Sequence, residues 1–122
     1  MVIIDVIVTL FLAAGIFFMF TGVIGLLRFP DFYTRLHATG KCDTLGEVLI
    51  IAGLLLYHIY YYIYEPLYIY HIEVLLSEKL VPIKLLFLII FIFLANPTAT
   101  HAIMKAAYKT GVKPWKLGEE RR

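Results

Sequence analysis

An all-α integral membrane protein with three transmembrane helices is what this sequence predicts, and three observations predict it. The mean hydropathy is +0.85 and 61% of the 122 residues are hydrophobic, more apolar surface than a soluble fold of this size can bury. Three apolar runs, about residues 6–27, 48–64 and 85–104, each cross or nearly cross a hydrocarbon core of roughly 30 Å at about 1.5 Å rise per residue. Nine of the 11 cations fall in two regions: Arg28, Arg35 and Lys41 follow the first run, and Lys105, Lys109, Lys113, Lys116, Arg121 and Arg122 follow the third. In a three-span chain those two regions share a side, which the positive-inside rule makes cytoplasmic, so the N-terminus lies outside and the basic tail 105–122 inside. The whole chain reads as a single membrane domain.

Each element then follows in order. Residues 6–27 carry no charge, and the preceding stretch holds Asp5 and no cation, unlike the n-region of a signal peptide. Within this first helix Ala14, Thr21 and Gly25, with Gly15 and Gly22 beside them, give small residues at helical spacing, which lets another helix backbone come close. Pro30 ends the helix by disfavouring helical geometry at Phe29. "DFYTRLHAT", residues 31–39, suits a short interfacial helix closed by Gly40, and "TLGE", residues 44–47, matches a capping box that would start the second span. The outer connection holds Glu65, His71, Glu73, Glu78 and Lys79; it predicts an outer interfacial helix rather than a fourth span, which would bury those charges. Tyr57, Tyr60, Tyr61, Tyr62, Tyr64, Tyr68 and Tyr70 place phenols at the outer headgroups. In the third helix Ala95, Ala99, Ala102 and Ala106 form a smooth stripe suited to packing against other helices.

Few residues could carry chemistry. In "NPTATH", residues 96–101, Pro97 deprives the Phe93 carbonyl of its helical donor, and Asn96, Thr98, Thr100 or a water could replace it. Counted from Leu85, Pro97 is roughly 18 Å deep, where a polar kink with Asn96, Thr98, Thr100 and His101 could serve water, protons or a sodium ion. The alternative is a structural kink at the end of the span. Glu47 stands at the edge of pure hydrocarbon and is a candidate proton relay, although the capping box accounts for it together with Thr44. His37 is a second relay candidate, since imidazole is the side chain best suited to exchanging protons near neutrality; a hydrogen-bonded interface residue is the plainer reading.

The single cysteine, Cys42, excludes an intramolecular disulfide and any iron–sulfur or nickel centre built by this chain alone. No nucleophile–base pair, phosphate loop, metal motif or nucleic-acid signature is present, and no cofactor is called for. What remains is a non-catalytic subunit of a larger membrane complex.

The two richest stretches, "GLLRFPDFYTRLHATGKCDTLG" (residues 25–46) and "NPTATHAIMKAAY" (residues 96–108), closely resemble the signature regions of the G subunit of the multisubunit sodium/proton antiporters called Mrp, Mnh or Pha. The resemblance implies a three-span accessory subunit that handles no reaction itself. It would pack with two small subunits of the E and F type beside the large antiporter-like subunits, and help form or support a path for sodium ions and protons. The same module is found in archaeal membrane-bound hydrogenases and sulfane reductases, where ferredoxin oxidation drives ion pumping. In that family the proline of the third helix is thought to be needed, and it falls here on Pro97. The outer connection is longer than usual for the family, and Cys42 replaces a small apolar residue. Three functions therefore compete: support of ion translocation, a scaffold in a stand-alone antiporter, and an independent channel or exporter.

Overall fold

The computed structural model describes residues 2–64 and 80–114, and there the chain forms α1 (Val2–Arg28), α2 (Phe32–Tyr64) and α3 (Val81–Lys109), with no strand among the described residues. All three helices are long and apolar enough to cross a membrane. They run up, down and up, with α2 in the middle: it packs on both neighbours, while α1 and α3 do not touch each other. The expected outer interfacial helix and the far end of the basic tail lie outside the described residues.

α1 has Asp5 in its first turn and Arg28 in its last, each matching the sign of the helix dipole there. The chain reverses within three residues. Pro30 cannot continue the helix, Arg35 Nε donates to the Phe29 carbonyl at 2.8 Å, and Asp31 becomes the N-cap of α2 by accepting the Tyr33 N–H at 3.2 Å. The Thr34 hydroxyl also bonds the Asp31 carboxylate, so the cap is closed from both sides.

Here the structure corrects the sequence. Residues 31–39 are not a separate interfacial helix, and Thr44 with Glu47 is not a capping box: α2 runs unbroken for 33 residues, about 50 Å. Thr44 sits in mid-helix, its hydroxyl donating back to the Gly40 carbonyl at 2.8 Å, as Thr39 does to Arg35. Gly40 is no stop signal. A Cβ there would lie 2.9 Å from Thr100 Oγ1, so the residue is glycine because α3 crosses at that point. An uninterrupted helix also satisfies the backbone groups that a break inside lipid would leave bare.

The α1–α2 seam is built from small residues. A Cβ on Gly15 would stand 2.8 Å from the Gly46 carbonyl oxygen, and one on Gly46 would stand 2.9 Å from that of Gly15. Gly22 meets Cys42, Gly25 meets Ala38, and Gly53 meets Phe11. Val8, Gly15 and Gly22, one heptad apart, are buried along this seam, as in a left-handed pair.

This register fixes depth. The uncharged run of α1, about 33 Å long, has its midpoint beside Gly15, so Gly46 and Glu47 lie near the middle of the membrane. The membrane-level part of α2 therefore starts near Ala38, not at residue 48. Lys41, Asp43 and Glu47 belong to the half of a span that leads to the α1–α2 turn rather than to a surface connector.

α3 opens with Pro82 in its first turn, where a missing N–H costs nothing. It closes in a Schellman turn: Gly111 has φ +88°, Val112 N–H reaches the Ala107 carbonyl at 3.0 Å, and Gly111 N–H reaches that of Tyr108 at 3.2 Å. Tyr33 then ties this end to α2, its hydroxyl donating to the Val112 carbonyl at 2.7 Å.

Candidate functional site

Polar side chains from two helices meet at the middle of the membrane. The Asn96 amide of α3 donates to Thr44 Oγ1 and to Glu47 Oε2 of α2, both at 3.3 Å. All three residues are half-buried. Because the Thr44 hydroxyl spends its proton on the Gly40 carbonyl, its oxygen acts here as acceptor. That settles which end of the Asn96 amide faces α2: the N–H side.

Pro97 lies next to Asn96 inside α3, and two of the three side chains expected to serve the Phe93 carbonyl are committed elsewhere. Asn96 crosses to α2, and the Thr98 hydroxyl donates at 2.7 Å to the carbonyl of Leu94. The proline thus loosens the helix beside the one amide that links it to α2. Thr100 is half-buried over Gly40, one turn nearer the C-terminal end of α3.

The other expected residues are placed apart from this crossing. His101 is exposed on α3, and His37 is exposed on α2 in a shallow groove with Phe29, Tyr33, Thr34, Ala38 and Met104 beside the α1–α2 turn. Ala99, Ala102 and Ala106 are exposed and Ala95 is half-buried, so most of that stripe faces away from α2. Gly15, Gly22 and Gly25 are buried against α2. Sequence reasoning missed the opposite half of that seam, Gly46 and Gly53, and missed Thr44 as an acceptor for Asn96. Glycines recurring in α2 were a usable signal for the first; nothing local signalled the second. Among the described residues no group of three His, Cys, Asp or Glu side chains could hold a metal ion.

Comparison with known proteins gives a consistent picture. Residues 11–108 match the family model PhaG_MnhG_YufB, a Na+/H+ antiporter subunit. A UPF0091 protein of Pyrococcus horikoshii is 42% identical over 100 residues, covering 82% of this chain and 80% of the relative. The Na+/H+ antiporter G subunit of Alkalihalophilus pseudofirmus is 34% identical over 112 residues, 92% of this chain and 81% of the relative. Among solved structures, a chain of the Mrp complex from Dietzia sp. superposes with a TM-score of 0.70 at 26% identity, over 99% of this chain and 96% of that one. A chain of the membrane-bound sulfane sulfur reductase, an archaeal respiratory complex, superposes with a TM-score of 0.64 at 26% identity, over 98% and 91%.

Proposed function

The chain belongs to the PhaG/MnhG/YufB family of Na+/H+ antiporter subunits and is a multi-pass accessory subunit of an Mrp-type module in the cell membrane, and we propose that its α2–α3 crossing is part of that module's ion route. The observation that supports this reading is the Asn96 amide bonded to Thr44 and Glu47 at mid-membrane depth, beside Pro97 inside α3. Polar groups at that depth are costly, so their presence asks for a polar function.

In this reading Asn96, Thr98, Thr100 and His101 line one wall of a hydrated path, and His37 and Glu47 contribute proton-exchanging groups. Large antiporter-like subunits and small E- and F-type subunits supply the other walls, with partner helices packing on the exposed alanines of α3. The N-terminus faces outward and the basic tail the cytoplasm, and the chain catalyses nothing itself. Sodium ions and protons are the transported species. The likeness to the sulfane sulfur reductase supports an archaeal respiratory membrane complex as the parent assembly.

The test is transport by the assembled complex in vesicles. Pro97→Ala, which restores the Phe93 backbone bond, should cut sodium-dependent proton movement several-fold while subunit composition stays intact. Normal transport by a fully assembled variant would overturn the assignment.

A further inference from the structure

Glu47 stands one residue beyond Gly46, whose contact with Gly15 sets it near the centre of α1's uncharged run. Among the described residues no opposite charge faces it, and the nearest titratable group is Asp43, a like charge four residues back on the same face of α2. α1 offers no titratable side chain between Asp5 and Arg28; α3 offers the Asn96 amide, with His101 exposed about 7 Å nearer the inner surface. On α2 itself Asp43 is one turn inward, Lys41 about 9 Å inward, and His58 about three turns outward. A bare carboxylate held by one amide at that depth is expensive, so the group must carry either a metal cation or a proton when no partner charge is beside it.

The amide decides between them. A hard cation needs several oxygen ligands, yet Asn96 turns its N–H side, not its carbonyl, to both Thr44 Oγ1 and Glu47 Oε2. An N–H aimed at those two oxygens repels a cation and strengthens on a carboxylate, where it becomes a charge-assisted bond. We propose that Glu47 is a proton-exchange site within the membrane. It takes a proton from water in the hydrated path, an O–H bond forming on the carboxylate as one in hydronium breaks, and the reverse step returns it to water. Asn96 holds the carboxylate during the released state. The inference rests on the assignment of the chain to an ion-translocating module, and it names the proton as the species this subunit's own residues handle.

The experiment is labelling of the purified native complex in lipid vesicles with dicyclohexylcarbodiimide, which adds to protonated carboxyls in apolar surroundings, followed by peptide mass mapping. The expected result is an adduct on Glu47 that declines as pH is raised, is absent in Glu47→Gln, and is unchanged by sodium at fixed pH. No adduct at any pH, or an adduct insensitive to pH, would overturn the proposal. Protection by sodium at fixed pH would overturn it too, by making Glu47 a cation ligand. Labelling of the unaltered complex needs neither transport nor an assembled variant, so it can fail while the transport role of the crossing stands, and the reverse.

Discussion

The two faces of α2 are built on opposite principles. Toward α1 it presents Ala38, Cys42, Gly46 and Gly53, and the backbones come so close that no Cβ fits between Gly15 and Gly46. Toward α3 it presents Gly40, Thr44 and Glu47, joined by two hydrogen bonds of 3.3 Å. In lipid there is no hydrophobic gain from pairing helices, so close van der Waals packing is what holds α1 to α2. Hydrogen bonds between membrane helices contribute only about 0.6 kcal/mol on average, and these two are long, so stability does not explain a carboxyl and an amide at mid-membrane. The first face is a seam; the second gathers the polar groups on which the proposed ion route rests.

The largest effect should come from the seam. Gly46→Leu puts a Cβ 2.5 Å from Met19 Cγ and 2.9 Å from the Gly15 carbonyl, and a backbone oxygen cannot rotate away. Overpacking of this kind costs about 1–3 kcal/mol or more. The subunit should disappear from the purified complex, as read by its band and by the stoichiometry of its partners. A fully assembled Gly46→Leu complex would show that α1 and α2 are not held by close approach and would erase the contrast.

A milder change sharpens it. Gly22→Ala places its Cβ 2.7 Å from Cys42 Cβ and should destabilise the subunit by about 1–3 kcal/mol, seen as earlier dissociation on heating in detergent. Exchanging the pair, Gly22→Ala with Cys42→Gly, moves the methylene across the same gap and should recover most of the loss, within about 1 kcal/mol. No recovery in the double variant would mean that the damage arises elsewhere than at this contact. On the α3 side Asn96→Leu should leave assembly almost untouched while lowering transport, because it removes two weak bonds and adds no bulk to the seam.

How much of this was legible in the sequence depended on range. The three spans follow from uncharged runs, and Gly15, Gly22 and Gly25 can be picked out by their spacing, though not what they meet. The start of α2 was misread because "TLGE" satisfies a local rule for a helix start equally well, and Gly40 satisfies one for a helix end. Neither rule contains the two facts that decide the outcome, the cost of breaking a helix in lipid and the Thr100 side chain above Gly40. That error also placed Glu47 at the membrane edge, when its depth is set by a residue of another helix, Gly15. Asn96 and Glu47 were each singled out, but their contact joins positions 49 apart in the chain, which no periodicity reveals.

The smallest effect belongs at the end of the α2–α3 face where α2 begins and α3 ends. Tyr33 donates to the Val112 carbonyl just past the Schellman turn that ends α3, so this one bond closes the crossing below the polar cluster. Tyr33→Phe keeps the ring and its edge contact with Phe32, and removes only the hydroxyl, worth about 0.5–1.5 kcal/mol. Hydrogen exchange should quicken at residues 110–112 by a few-fold to about tenfold, with no change around Gly15 and Gly46. If exchange quickened along both faces of α2, the two would be one cooperative unit. If only the α3 end loosened, its mobility would be separable from the glycine seam, as the proposed proton exchange at Glu47 requires.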